Sequence, residues 1–263
     1  MNRIVFILLI SLIVLAGCST TRSVPDNDHL YRGHKIKWKT EKPRDNRLLE
    51  AGLDDKIRPR PNKRFLGMPF RLWFYNLGKK PKGKGLNYLL RVKWGEPPVL
   101  LSAAKPAYTS EIMQSYLQDN GFFQAAVAYE IKYPSRKKAV IEYSIDQGGR
   151  YIITSVNYEL DSSQLGKAIK ATMSSTLLKQ GALYSLQNIK AERERISTAI
   201  RDRGYYYFLA DHLLVEVDTT HHGKVALYLK IKNNIPESAT RPHKMNQVIL
   251  YPSYSLETDS LNE

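Results

Sequence analysis

Two stretches of the chain alternate strictly between apolar and polar positions. Ala139, Ile141, Tyr143 and Ile145 alternate with Val140, Glu142 and Ser144. Val225, Leu227, Leu229 and Ile231 alternate with Ala226, Tyr228 and Lys230. A period of two is the signature of a strand buried on one face. Each stretch ends a longer run of the same plan. In the first run, Ile112, Met113, Tyr116 and Leu117 fall on one helical face, and Asn120-Gly121 ends that helix. Phe122-Phe123 leads into a strand over Ala125 to Tyr133, and Pro134 to Lys138 turns the chain. In the second run, Ser185 is the expected N-cap, and Ile189, Ile196, Ala199 and Ile200 form the apolar face. Glu192, Arg193, Glu194 and Arg195 are expected on its wet side. Arg203-Gly204 stops the helix, and Tyr205-Tyr206-Tyr207 opens a strand through Val217. Gly at such a helix end supplies the left-handed residue.

The two Gly-aromatic junctions lie 83 residues apart (121 to 204). That period suits a small domain repeated in tandem rather than a solenoid. Each copy also has an opening strand. The first is Leu30 to Trp38, with Leu30, Ile36 and Trp38 on one face. The second is Ile152 to Leu160, with Ile152, Val156, Tyr158 and Leu160 on one face. A helix is expected from Asn46 to Ile57, and another over Gly166 to Lys179 with Leu165, Ile169, Met173 and Leu177 as its stripe. The fold class is therefore α+β, with tandem β-α-α-β-β domains. The first spans 29–148 and carries an insertion at about 58–106. The second spans 149–234. Residues 235–263 hold one more candidate strand, Met245 to Pro252, and read as the incomplete start of a third unit or as a tail that needs a partner. Within the insertion, Leu72 to Leu77 and Leu86 to Trp94 are expected to form structure of their own, because a structureless loop that long is uncommon in a compact domain.

The N-terminus departs from this pattern. Asn2 and Arg3 precede an uncharged run from Ile4 to Ala16. Thirteen residues are too few for a spanning helix, which needs about 20, and suit the core of an export signal. The run ends Leu15-Ala16-Gly17-Cys18, the bacterial lipoprotein pattern. Small residues let a peptidase grip extended backbone, and the Cys sulfur takes the diglyceride. Residues 1–17 are thus read as a signal peptide, Cys18 as the lipidation site, and 18–28 as a polar tether. Ser19 in place of Asp favours the outer membrane over inner-membrane retention. Cys18 is the single cysteine, so an intramolecular disulfide and a multi-Cys zinc site are both excluded.

Charge adds one more local feature. Of the formal net charge of +15, residues 18–108 contribute +13, from 21 Lys/Arg against 8 Asp/Glu. The basic stretch Lys56 to Lys105 is interleaved with Phe65, Phe70, Trp73, Phe74, Tyr75 and Trp94. In a cytosolic protein this would suggest nucleic acid; an export signal removes that partner. Two readings stay open: contact with anionic lipid headgroups, or aromatics packed within the insertion under a solvated basic rim.

A β-α-α-β-β unit with a Gly-aromatic helix end, in tandem behind an export signal, resembles the POTRA domain of the BamA/TamA superfamily. Pro61-Asn62-Lys63-Arg64-Phe65-Leu66-Gly67 followed by Leu72-Trp73-Phe74-Tyr75-Asn76-Leu77, and Gly95-Glu96-Pro97-Pro98-Val99-Leu100, resemble the first-domain insertion of the lipidated TamL subgroup. The resemblance implies a periplasmic module that receives unfolded outer-membrane proteins, or contacts assembly-machine subunits, and passes clients to a barrel. A barrel needs many amphipathic strands of about 9–11 residues, and this chain has no room for one. The chain is then a truncated product, a fragment, or half of a split system whose barrel is separately encoded. The rival readings are an unrelated α+β envelope lipoprotein with a structural or membrane-surface role, and an envelope hydrolase.

No residues are assigned to catalysis, a cofactor or a metal, and the chain is read as a binding protein rather than an enzyme. Gly78 to Lys84 fits the first seven positions of a phosphate-binding P-loop. Gly85 then stands where Ser or Thr should hold Mg²⁺, and Pro81 removes a backbone N–H. His212, His221 and His222, with Asp211 and Asp218, lack metal-ligand spacing; the adjacent pair would point to opposite faces of a strand. No G-x-S-x-G elbow is present. Asp54-Asp55 and Glu192/Glu194 read as ordinary exposed carboxylates.

Overall fold

The structure is a computed structural model, and it describes residues 20–40 and 46–250. It divides into two units, after Arg150. Unit 1 begins with β1 (Leu30–Trp38) and α1 (Asn46–Lys56). The insertion follows, with α2 (Phe70–Leu77), a short α3 (Leu86–Tyr88) that runs into a π-turn at Leu89–Lys93, and a 3₁₀ turn at Leu101–Ala103. Then come α4 (Pro106–Asp119), β2 (Ala126–Ser135) and β3 (Lys138–Asp146). Unit 2 runs β4 (Ile152–Glu159), α5 (Gln164–Lys170), α6 (Leu186–Arg201), β5 (Leu213–Asp218) and β6 (Lys224–Ile231), followed by a one-turn helix, α7 (Glu237–Thr240). Insertion aside, both units are β-α-α-β-β, and the fold is α+β.

The two sheets share one topology. Their strand orders are β1-β3-β2 and β4-β6-β5. In each, the last strand is central, pairing parallel with the opening strand and antiparallel with the strand before it. The central strands bury Ala139, Ile141, Tyr143 and Ile145 in one unit, and Val225, Leu227 and Leu229 in the other, as their alternation predicts. Two helices cover that face. Met113 and Leu117 of α4 meet Leu53 of α1, Tyr143 and Phe122 in the core of unit 1. Ile196 and Ile200 of α6 meet Ile169 of α5, Phe208 and Leu229 in the core of unit 2. Each such fully buried aliphatic side chain stabilises its unit by about 1.5–3 kcal/mol through transfer from water.

Gly121 and Gly204 end α4 and α6 in the same way. Their φ values are 90° and 96°. Phe122 N–H bonds Leu117 O at 3.0 Å and Gly121 N–H bonds Gln118 O at 2.9 Å; Tyr205 to Ile200 (3.3 Å) and Gly204 to Arg201 (2.9 Å) repeat the pattern. This paired bonding is the Schellman motif, and it swings the buried rings of Phe122 and Tyr205 under their helices. An L side chain at φ near 90° is strained, and a Cβ on Gly204 would also lie 3.1 Å from His243 O. Gly204→Ala is therefore expected to cost about 1–2 kcal/mol, measured as a lowered urea midpoint at unchanged slope.

The structure corrects several boundaries and faces. Both opening strands carry a bulge: Tyr31 and His34 pair with Ala139 and Ile141, and Ile153 and Ser155 pair with Val225 and Ala226. One extra residue moves the earlier part of each strand to the other face. Tyr31 and Ile153, not Leu30 and Ile152, therefore point into the cores. Leu30 packs instead with Val24 and Leu72, and Ile152 is exposed. The expected helix over 166–179 stops at Lys170. The following Met173–Ser175 is a 3₁₀ turn, and Leu177 is 46% exposed. Thr172, Ser174, Ser175 and Thr176 compete with the helix for backbone bonds, and the Thr172 hydroxyl donates to Ile169 O at 2.8 Å. Glu192 is fully buried rather than on the wet face. Residues 245–250 form no strand and are exposed. A strand needs a neighbour to pair with, and no further sheet stands there among the described residues. The signal peptide 1–17, Cys18, and residues 251–263, with Tyr251 and Pro252 of the expected last strand, lie outside the described residues.

Thr20 to Asp28, read from the sequence as part of a tether, is folded against unit 1. Val24 is buried with Leu30 and Leu72. Lys137 Nζ donates to Val24 O at 3.2 Å and to Asp26 Oδ1 at 2.7 Å.

Candidate functional site

A three-stranded sheet has two edges, and an edge strand exposes unpaired N–H and C=O groups. The first edges, β1 and β4, are closed at their starts by the segment before the second helix. Tyr31 N–H bonds Val99 O at 2.8 Å, and Leu101 N–H bonds His29 O at 2.8 Å. In unit 2, Ile153 N–H bonds Ala182 O at 2.8 Å, Gly181 N–H bonds Ile153 O at 2.7 Å, and Tyr184 N–H bonds Tyr151 O at 3.0 Å. Asn62 supports the first closure, with Oδ1 accepting from Val99 N–H at 2.9 Å and Nδ2 donating to Pro97 O at 2.8 Å.

The opposite edges are β2 and β5, and among the described residues no further strand pairs with either. β2 has 10 residues against 6 in β5, so it offers the longer main-chain template. Its core-facing residues Val127, Tyr129 and Ile131 stand opposite Ile145, Tyr143 and Ile141. Tyr129 remains 43% exposed at the sheet margin. Its other face carries Glu130 and Lys132, ion-paired at 2.5 Å. Pro134, which lacks an N–H, limits the template to about the stretch 126–133.

The insertion is the second feature. From Lys56 to Gly95 it holds 12 Lys/Arg and no Asp/Glu. Some of its aromatics pack together: Trp73 on Phe74 (5.1 Å), Phe74 on Trp94 (6.0 Å) and the Arg91 guanidinium over Tyr75 (4.1 Å). Phe65 lies tilted against Phe70 at 6.2 Å yet stays exposed, as do the aliphatic Leu66, Leu77, Leu86 and Val92.

The remaining sequence candidates disperse. Gly78 is buried, and Lys79 to Lys84 is a largely exposed irregular loop in which Lys79 N–H bonds Asn87 Oδ1 at 3.0 Å. His212 stacks on Phe208 at 5.4 Å before β5, with its Nδ1 accepting from Leu209 N–H at 3.1 Å; burial lowers its pKa. His221 and His222 sit at the far end of that strand, in the β5-β6 turn. Asp211 pairs with Arg193 at 2.7 Å, and Asp218 accepts from Thr220 N–H at 2.9 Å. Asp218, His221 and His222 line one open depression, but among the described residues no three His, Cys, Asp or Glu side chains are placed to hold a metal ion. Asp54, read as an ordinary exposed carboxylate, accepts from His34 Nε2 at 2.7 Å and pairs with Arg60.

The strongest charge arrangement is one the sequence pattern does not reveal. Glu192 accepts from Nη2 and Nε of Arg195, at 2.8 and 2.9 Å, and from Leu177 N–H at 2.9 Å. The Thr176 hydroxyl donates to it at 2.9 Å and accepts from Tyr158 OH at 3.0 Å. Burial alone would raise the Glu192 carboxyl, but Arg195, Leu177 N–H and Thr176 outweigh it and hold the carboxyl below the usual Glu range. The network ties the irregular 171–178 segment to α6. Its chemistry is structural.

No protein-family profile matches the chain, and no curated protein sequence does. Among solved structures, it is similar to POTRA domains 3–5 of BamA from Haemophilus influenzae, at 12% identity and a TM-score of 0.42, over 80% of this chain and 68% of that one. It is similar to POTRA domains 1–2 of the periplasmic domain of Omp85 from Anabaena, at 11% identity and a TM-score of 0.35, over 82% and 98%. It is also similar to CdiB from Escherichia coli, at 10% identity and a TM-score of 0.29, over 82% and 32%.

Proposed function

We propose that this chain is a periplasmic POTRA-type binding module of an outer-membrane protein assembly or translocation factor of the lipidated TamL kind, anchored through Cys18 in the outer membrane. It takes extended client polypeptide, or a partner subunit, as an added strand. A membrane barrel would receive the client. The observation that carries this reading is the open outer edge of β2, a ten-residue strand in a sheet whose other edge is closed at its start. Main-chain pairing there gives affinity with little sequence selectivity, which suits a module handling many unfolded clients. Tyr129 at the margin gives alternate client side chains an apolar surface to cover. No step of bond making or breaking is involved.

Backbone N-methylation supplies the test, because it removes N–H donors without changing side chains. A ten-residue peptide with the alternating pattern of a barrel strand is titrated calorimetrically against the protein. Methylating alternate residues on the pairing edge is expected to weaken binding at least tenfold, while methylating the other edge leaves it within twofold. Equal binding by both methylated peptides overturns strand addition.

A further inference from the structure

The exposed apolar side chains of the insertion include one held at a conformational cost. Phe65 and Met68 bond each other reciprocally across a tight turn, at 2.9 and 3.0 Å. Its two central residues, Leu66 and Gly67, have φ of 48° and 78°. Gly, Asn and Asp are the usual occupants of such turns. A leucine in the left-handed region costs about 1–2 kcal/mol. Leu66 recovers nothing by packing, since it is 86% exposed at the tip. Strain retained without internal compensation points to an external role. Phe65 beside it is 69% exposed, and Trp94 is 50% exposed.

The location of this tip is set by the folded N-terminal segment. Thr20 lines a shallow depression with Leu30, Arg64, Met68, Pro69 and Leu72. Cys18 precedes Thr20 by two residues, a reach of at most about 7 Å. Val24 and the Lys137 bonds prevent the segment from acting as a free linker. A lipid on Cys18, on the anchoring reading, would then enter its bilayer within reach of the Phe65–Met68 turn. The segment Lys56 to Gly95 that forms this turn and the rest of the insertion holds 12 Lys/Arg and no Asp/Glu in its sequence, and of these Arg60 is taken up by Asp54 and Asp55.

We propose that the insertion is a second membrane attachment. The Leu66 tip and its neighbour Phe65 sink into the interfacial layer together with the exposed part of Trp94, and Lys79, Lys80, Lys82 and Lys84 contact the headgroups of anionic phospholipids. The occupant is a bilayer surface, as the one-signed charge and the adjacent lipidation residue both require. A diglyceride on Cys18 would already hold the chain to the bilayer, and the basic, apolar-tipped patch adds a second contact that fixes its orientation. The proposal rests on the anchoring reading for its orientation. It fixes unit 1 against the membrane rather than letting it swing on a leash.

The experiment uses the mature chain from residue 18 with Cys18→Ser, so that no lipid contributes, and vesicles of phosphatidylcholine with about one third phosphatidylglycerol. Sedimentation at low salt is expected to show binding that disappears with pure phosphatidylcholine and at about 0.5 M salt. Each surface lysine contributes about fivefold, so Lys79→Gln/Lys80→Gln/Lys82→Gln is expected to lower the partition coefficient about a hundredfold. Leu66→Asn is expected to lower it about tenfold while leaving or raising the melting temperature, because Asn suits a left-handed φ. Absence of binding at low salt overturns the proposal, as does binding indifferent to both sets of substitutions. Insertion variants that bind vesicles normally but lose the barrel-strand peptide overturn it in favour of a client surface. A failure of strand addition alone registers only in the peptide titration, and a failure of lipidation only in the mass of the Cys18 peptide.

Discussion

Glu192→Ala is expected to destabilise unit 2 by about 3–5 kcal/mol, the range for breaking a buried ion pair from one side. The side chain is 0% exposed. Its removal strands the Arg195 guanidinium, the Leu177 N–H and the Thr176 hydroxyl together, and the 171–178 segment loses its fastening to α6. Glu192→Gln keeps the volume and one carbonyl oxygen and is expected to cost about half as much. The two effects carry a pH signature. The carboxyl is held below its ordinary value of 4.5 in the folded state. Its contribution is therefore complete above about pH 4.5 and declines as pH falls further, towards the folded-state pKa. Urea denaturation at pH 7 and pH 3.5 checks this: the gap between wild type and Glu192→Gln narrows at the lower pH. A gap that is constant or widens contradicts the assignment of a charged, depressed carboxylate.

Phe208→Ala is expected to be as damaging, at about 3–5 kcal/mol. Its ring is fully buried among Leu165, Ile169, Ile196, Ile200, Tyr205 and Leu213. These residues come from both helices, the Gly204 junction and the start of β5, so no single neighbour can move in to fill the space. Truncation leaves a cavity at the point where the covering layer meets the sheet. The Ser197 hydroxyl, which donates to Phe208 O at 3.4 Å, also loses a fixed acceptor position. Calorimetry would show an early transition, and hydrogen exchange would place the lost protection in β4, β5 and β6. An unchanged thermogram contradicts the placement of this ring at the centre of unit 2.

The features legible in the sequence are those where local chemistry and tertiary demand agree. The alternation of Ala139 to Ile145 and of Val225 to Ile231 marks the two central strands, because only a strand buried on one face needs it. Gly121 and Gly204 mark helix ends, because only glycine takes φ near 90° without strain. The bulges in β1 and β4 are not legible: a one-residue shift in pairing leaves composition untouched, yet exchanges Leu30 for Tyr31 and Ile152 for Ile153. Glu192 is misread because a charged residue among Arg193, Glu194 and Arg195 looks solvated. Its burial follows from Tyr158, Thr176 and Leu177, which converge on it from 15–34 residues away. The closed starts of β1 and β4 are backbone bonds to irregular segments and have no side-chain signature. The open edge of β2 becomes visible only once those closures are known.

The central claim concerns that edge, and hydrogen exchange along β2 tests it most directly. The barrel-strand peptide is added at a concentration where calorimetry shows the site filled, and amide exchange is followed residue by residue. If the peptide adds as a fourth strand, the outward amides between Ala126 and Tyr133 slow by at least tenfold, while those already bonded to β3 change little. A filled site with β2 amides exchanging at their free rate would contradict the account.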